Sequence, residues 1–272
     1  MYVDFFGLHE KPFNVTPDPS FLFLSKKHQE ALAHLTYGIK ERKGFITITG
    51  EIGAGKTTLC RALLDRIRNN VKTAYLLNSN ITSDIQLLRM IIDDFGIQPD
   101  GKNKMALLKA MNEFLIEQTM LGNNVVIIID EAQNLRPRVL EQFRMLSNLE
   151  TDKEKLVQII FVGQPELKDI LRSPKLVQLN QRITVRYHVS PLERDEVESY
   201  INHRLSIAGA KDNSFFNKEA IEAIYDFSGG IPRLINIICD RALLLAFVLE
   251  KKDVSDEMVK RSAEEVGALQ LT

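Results

Sequence analysis

Residues 50–57 read Gly50-Glu51-Ile52-Gly53-Ala54-Gly55-Lys56-Thr57, with Thr58 next in the chain, and every fixed position of a phosphate-binding loop is filled. The run follows an apolar β-type stretch, Phe45 to Thr49, and precedes a helical pattern that begins near Lys56. In that context the glycines let backbone N–H groups turn toward phosphate oxygens, and the helix start adds the positive end of its dipole. Lys56 is expected to reach the β- and γ-phosphates of a nucleoside triphosphate, and the Thr57 hydroxyl to ligate Mg²⁺. A glycine turn that merely joins strand to helix has no need of the Lys-Thr pair.

A second constellation closes the apolar run Val125 to Ile129, which ends in Asp130-Glu131. In open α/β sheets chemistry gathers at the carboxyl ends of the strands. Asp130 is expected to hold Mg²⁺ through water, and Glu131 to orient and polarise the water that attacks the γ-phosphate. Alone, an acidic pair at a strand end is an ordinary solvated loop start; the phosphate loop is what makes it chemical. The run Val157 to Val162 leads into Gly163-Gln164-Pro165-Glu166. There Gln164 is placed either to touch the γ-phosphate or its water, or to satisfy local backbone groups.

These residues need a scaffold, and the rest of the chain supplies one. Phe45 to Thr49, Thr73 to Leu77, Val125 to Ile129, Val157 to Val162 and Ile183 to Val189 read as strands. Between them Thr57 to Asn69, Ser83 to Phe95, Met105 to Leu121 and Pro137 to Asn148 carry apolar residues at helical spacing. The alternation predicts an α/β fold, a doubly wound parallel five-stranded sheet with helices on both faces. After Ser190-Pro191 strand signals stop, and helical patterns follow around Asp195 to Ile207, Lys218 to Phe227, Pro232 to Leu249 and Ser255 to Glu265. The expected division is a nucleotide-binding domain over 1–190 and a small all-α lid over 191–272.

The 272 residues carry 35 lysines and arginines against 36 acids, a net charge of -1, so no global field draws the chain to nucleic acid or an anionic membrane. Cys60 and Cys239 lack metal-type spacing and sit in apolar helical patterns, which suits small core residues in a reducing cytoplasm. Neither Val125 to Ile129 nor Ala242 to Leu249 approaches the roughly 20 apolar residues that span a bilayer. The start Met1-Tyr2-Val3-Asp4 has no basic n-region. A cytoplasmic protein without direct membrane insertion is expected.

The order of elements, the phosphate loop, Asp130-Glu131, Gln164, the arginines after it and Gly229-Gly230-Ile231-Pro232-Arg233 together resemble an AAA+ ATPase over almost the whole chain. The resemblance implies ATP and ADP as ligands with Mg²⁺, and Arg233 as a lid arginine that senses the γ-phosphate. It also implies an arginine finger acting on a neighbouring subunit, for which Arg182 in Leu179-Asn180-Gln181-Arg182-Ile183 fits best and Arg186 is the alternate. The segment before the phosphate loop wraps the adenine in that family, which implies apolar contacts from Pro12 and Phe13; a plain core role for Phe13 is the competing reading.

Further signatures are Phe6-Gly7-Leu8, Lys11-Pro12-Phe13, Thr16-Pro17-Asp18-Pro19, Phe23, His28, Glu30-Ala31-Leu32, Asp130-Glu131-Ala132-Gln133, Gly163-Gln164-Pro165-Glu166-Leu167 and Pro191-Leu192. These are similar to the general secretion pathway protein A type (ExeA/GspA), whose relatives serve pilus biogenesis and exopolysaccharide export. The resemblance implies an oligomeric switch or motor, as a ring or nucleotide-dependent assembly, working with an inner-membrane secretion or pilus component. In that family a membrane span and a peptidoglycan-binding module follow the ATPase; the present sequence reaches Thr272 after the lid, and cell-wall binding by these residues is not expected. The rival function is a DNA-acting AAA+ ATPase, a transposition regulator or initiator-like protein, against which the near-neutral charge counts. Arg136 and Arg138 read either as a loop patch for a threaded polymer or as a solvated helix start.

Overall fold

The computed structural model describes residues 1–16, 18–67, 69–77, 81–149, 155–212 and 215–270; Pro17 of the amino-terminal signature and Thr272 at the expected lid boundary lie outside them. The strands are β1 (Phe45–Gly50), β2 (Val71–Leu76), β3 (Asn124–Ile129), β4 (Gln158–Gly163) and β5 (Ile183–Val189). The helices in chain order are α1 (Tyr2–Phe5), α2 (Lys26–Lys40), α3 (Lys56–Ile67), α4 (Asp84–Asp94), α5 (Lys104–Met120), α6 (Pro137–Leu146), α7 (Glu166–Arg172), α8 (Val177–Arg182), α9 (Arg194–Ile207), α10 (Lys218–Ser228), α11 (Pro232–Val248) and α12 (Asp256–Gln270). By contact density the chain forms two compact units, one of His28–Ile52 and Leu59–Val189, the other of Met1–Lys27, Gly53–Thr58 and Ser190–Thr272.

The first unit contains the sheet, five parallel strands in the order β2-β3-β4-β1-β5. The central strands β1, β3 and β4 are β-branched and apolar, and nearly every residue in them is buried. A parallel strand buried on successive residues must be covered on both faces. On one face Phe45, Ile127, Ile159 and Phe161 share a core with Leu87, Ile91, Leu107, Met111, Leu115, Leu140 and Phe143 of α4, α5 and α6. On the other face α2 comes so close to β1 that a Cβ on Gly38 would lie 2.8 Å from Ile46 Cδ1. The edge strand β5 alternates exposed and half-buried residues between its two buried ends, Ile183 and Val189. Registers Thr49↔Gly163 and Ile129↔Phe161 bring the carboxyl ends of β1, β3 and β4 to one edge of the sheet.

Local chemistry starts and stops these helices. The Ser83 hydroxyl accepts the N–H of Gln86 at the start of α4, and Asn103 accepts that of Ala106 at the start of α5. Each cap satisfies an N–H that has no partner within its helix. Pro137 opens α6 at a position where a missing N–H does no harm. The helical patterns read from the sequence do not include α1, α2, α7 or α8; the buried face of α2 keeps helical spacing through His28, Ala31, Leu32, Leu35, Gly38 and Ile39, but a histidine and a glycine stand in it where apolar side chains would mark a stripe.

The second unit packs α9 to α12 around Val197, Ile201, Ile224, Ile235, Cys239 and Leu243. Residues 1–27 belong to this core, whereas the expected division at 190 grouped them with the sheet. The physical reason is a strap of aromatic residues and one buried cation. Tyr2, Phe6, Phe13 and Phe21 enter the helical core, and the Tyr2 hydroxyl donates to Asp240. Arg204 on α9 is only 7% exposed. Its guanidinium donates to the Pro12 carbonyl at 2.6 Å, the Asn14 carbonyl at 3.3 Å and the Tyr200 hydroxyl at 3.2 Å, and lies 4.8 Å over the Phe21 ring. Tyr200 in turn donates to Asn236 at 2.8 Å. Strap, charge and hydroxyl thereby satisfy one another.

Candidate nucleotide-binding site

β1 ends on Gly50, and the glycine-rich loop begins there, at the sheet edge shared with the ends of β3 and β4. Gly53 and Gly55 have φ of 81° and 94°, the left-handed region that suits glycine. Gly53 is doubly constrained, because a Cβ on it would lie 2.5 Å from the Cβ of Arg233. The Arg233 backbone N–H donates to the Gly53 carbonyl at 3.3 Å. The lid residue singled out in the sequence is therefore packed on the loop within one compact unit, at the start of α11 where Pro232 follows the glycine pair that ends α10. Ala54 is buried and Lys56, at 6% exposure, opens α3; Thr57 and Thr58 follow in its first turn, half-buried. Glu51 and Ile52 are exposed.

The β3 end is built from polar contacts. Asp130 is 3% exposed. One of its carboxylate oxygens accepts the Tyr75 hydroxyl of β2 at 2.7 Å, and the other accepts the backbone N–H of Glu131 at 2.9 Å. Burial, with Cys60 and the Asp130 carboxylate nearby, pushes the Tyr75 phenol far above its ordinary range, so it stays a protonated donor. Glu131 takes φ 53° and ψ 38°, left-handed backbone for a residue with a side chain. Such backbone persists only where its surroundings enforce it, and it collects at functional sites. Glu131 Oε2 accepts from the side-chain amides of Gln133 and Gln164. Gln164 thus meets Glu131 itself, a partner the sequence reading did not name.

The Asp130 carboxylate in one unit and the Thr57 hydroxyl in the other are each oxygen ligands of the kind Mg²⁺ takes alongside phosphate and water.

Other expected site residues lie elsewhere in their units. Phe13 is 1% exposed and meets Phe216 edge-on at 6.1 Å, so its ring belongs to the helical core; Pro12 is buried and gives its carbonyl to Arg204. Arg182 does not extend freely into solvent. Its Nη1 donates to the Asn148 side chain at 2.6 Å, the Ser147 hydroxyl at 3.1 Å and the Arg144 carbonyl at 3.4 Å, at the carboxyl end of α6. Arg186 Nη2 donates to the carbonyl and side-chain oxygens of Asn180 at 2.6 and 2.9 Å. Arg136, Arg138 and Lys175 line an open depression of about 430 Å³ beside Glu141 and Gln142. Tyr75, Gln133 and Arg204 had no role assigned from sequence. Tyr75 carried a signal, as a hydroxyl in a strand that neighbours the one ending in Asp130.

The sheet order, the loop after β1 and the acidic pair after β3 define the class: this is an AAA-type P-loop fold. Residues 39–171 match the AAA domain family. The chain is 44% identical over 99% of its length to General secretion pathway protein A of Aeromonas hydrophila, of which it spans 49%. Among solved structures it resembles the ORC2 protein of Aeropyrum pernix in ADPNP and ADP complexes (TM-score 0.70, 18% identity, 94% of this chain and 71% of that one). It also resembles Cdc6p of Pyrobaculum aerophilum (TM-score 0.71, 20% identity, 92% and 71%). At those identities the two structures speak for the fold alone. The chain is an AAA-domain protein related to general secretion pathway protein A. Among the described residues no helix is long and apolar enough to cross a membrane.

Proposed function

We propose that the chain binds Mg-ATP and hydrolyses it, and that it works as an oligomeric switch or motor in assembling a secretion, pilus or related envelope export system, in the cytoplasm and with an inner-membrane component of that system. The observation that carries the ATPase reading is Glu131, a carboxylate in left-handed backbone held by two amides at the edge from which the phosphate loop departs. Support for the cellular role comes from the 44% identity to a protein named for general secretion.

In this reading Gly50 to Thr58 cradle the phosphates with backbone N–H groups, and Lys56 neutralises the β- and γ-phosphates. Thr57 and Asp130 hold the Mg²⁺, which when bound offsets charge on the β- and γ-oxygens. Glu131 accepts the proton of the attacking water, and Gln164 steadies Glu131. Arg233, packed on Gly53, reports whether the γ-phosphate is present. Adenine contact falls to Pro12 and its neighbours, since the Phe13 ring is enclosed in the core.

Arg182 is the proposed finger for a neighbouring subunit, with Arg186 next in line; acting in trans requires it to exchange its contacts at the end of α6. Fingers in phosphoryl-transfer systems contribute roughly 10³- to 10⁵-fold in turnover. ATPase rate should therefore rise faster than linearly with protein concentration, and Arg182→Ala should bind ATP while losing that component. Mixing it with Lys56→Ala should restore part of the activity, because a mixed interface pairs an intact loop with an intact finger. A mixture as inactive as its components, with mixed oligomers demonstrated, removes Arg182 from that role. Stimulation of the wild type by DNA, in the same assay, would favour the DNA-acting alternative.

A further inference from the structure

The Gln133 side-chain amide is engaged at both ends. Its Nε2 donates to Glu131 Oε2 at 2.5 Å, and its Oε1 accepts the backbone N–H of Gln164 at 3.0 Å. A main-chain N–H can only donate, so the oxygen of Gln133 must face Gln164 and the NH₂ must face the carboxylate. The space for this comes from Gly163, where a Cβ would lie 2.6 Å from Gln133 Oε1. Gln164 Nε2 adds a second, longer donation to the same Glu131 oxygen at 3.3 Å. Among the described residues no donor reaches the other oxygen, Oε1. The carboxylate thus has one tethered oxygen and one open one, on a backbone whose left-handed φ of 53° needs outside support.

We infer that Gln133 is a positioning residue for hydrolysis: it ties Glu131 Oε2 to the end of β4 and leaves Oε1 to take the proton of the attacking water. The inference rests on the reading of Glu131 as the base. In the step itself the water oxygen forms a bond to the γ-phosphorus, the bond from that phosphorus to the bridging oxygen of ADP breaks with its electron pair leaving on ADP, and the water proton passes to Glu131 Oε1. Gln133 donates one hydrogen bond throughout and exchanges no proton. Because its other end accepts the N–H of Gln164, the residue just past β4, the side chain links the carboxylate to the β4 end.

Two variants separate this role from a merely structural one. Gln133→Ala removes both contacts. Gln133→Glu keeps an oxygen for the Gln164 N–H but turns the donor to Glu131 into a repelling acceptor. The readouts on the full chain are single-turnover ATP hydrolysis, Mg-ATP affinity by calorimetry and thermal unfolding. Losing a hydrogen bond to a charged group is expected to lower the hydrolysis rate of Gln133→Ala about tenfold. Gln133→Glu should lose more while keeping its thermal stability, and both should hold ATP within about twofold of wild type, since the donor acts on the base and not on the phosphates. In a Glu131→Gln background, where the base is already gone, adding Gln133→Ala should bring no further loss. Wild-type or faster hydrolysis by Gln133→Ala, a loss that falls on affinity instead of rate, or an equal loss with Glu131→Gln present would each overturn the inference. Wild-type turnover by Glu131→Gln alone would overturn the base reading and this inference with it; an inactive Glu131→Gln beside a fully active Gln133→Ala would overturn this inference only.

Discussion

In the amino-terminal strap the conspicuous residues turn inward: Tyr2, Phe6, Phe13 and Phe21 join the core of α9 to α12, and Arg204 secures the Pro12 and Asn14 carbonyls. At the ends of β3 and β4 the conspicuous residues are polar and held by one another, Tyr75 on Asp130 and Gln133 with Gln164 on Glu131. Both regions look like motifs in the sequence, and the physical demand behind each is different. The strap answers to packing, in which buried aromatic area and a satisfied guanidinium hold a segment that has almost no regular structure. In the proposed function the strand ends answer to chemistry, and the left-handed Glu131, held by its neighbours, is the feature that points there. A dense signature is therefore no guide to which residues touch a ligand until burial and hydrogen bonding are known.

Three substitutions bear on that contrast, from the largest effect to the smallest. Lys56→Ala on the chemical side removes the cation proposed to meet the β- and γ-phosphates. Mg-ATP affinity by calorimetry is expected to fall by at least about 100-fold with thermal stability unchanged; an unchanged affinity would remove the phosphate-loop assignment.

Phe13→Ala on the packing side is expected to destabilise the helical unit by about 3 to 5 kcal/mol, the range for truncating a fully buried aromatic. Denaturant unfolding reads it directly. If stability holds and ATP affinity falls instead, Phe13 is a base contact and the contrast between the two regions fails at its clearest residue.

Tyr75→Phe is the mildest of the three, since the ring and its packing stay and only the hydroxyl on Asp130 goes. A loss of about 1 to 3 kcal/mol is expected, chiefly as a higher Mg²⁺ requirement in the ATPase assay, because the tyrosine donates to the carboxylate proposed to hold the metal. An unchanged Mg²⁺ dependence would leave Tyr75 as a packing residue like those of the strap.

How much of this was legible in the sequence follows the same divide. The strands, the loop after β1 and the pair after β3 were legible because each is local: an apolar β-branched run, a glycine spacing, an abrupt acidic end. Helix α2 was not, since its buried face includes His28 and Gly38, and the glycine answers to the close approach of Ile46 on β1, which only the packed structure shows. The strap's place with the helices was not legible either, because it depends on Arg204 finding carbonyls some 190 residues earlier. Of the proposed site, Lys56, Thr57, Asp130 and Glu131 are suggested by type and spacing, whereas the contacts of Gln133 depend on a register between β3 and β4 that no spacing encodes. Arg182 stands out in the sequence only by its place before β5, whereas its hold on Ser147 and Asn148 at the end of α6 is a feature of the folded chain.

If the shared edge of β1, β3 and β4 hydrolyses ATP with Glu131 as the base, as proposed, Glu131→Gln must separate binding from turnover. The amide keeps the shape of the side chain and cannot accept the water's proton. Calorimetric titration with Mg-ATP, paired with single-turnover hydrolysis on the same sample, is expected to return wild-type affinity and a rate lower by about 10²-fold or more. A Glu131→Gln chain that binds ATP and hydrolyses it at the wild-type rate would contradict the account.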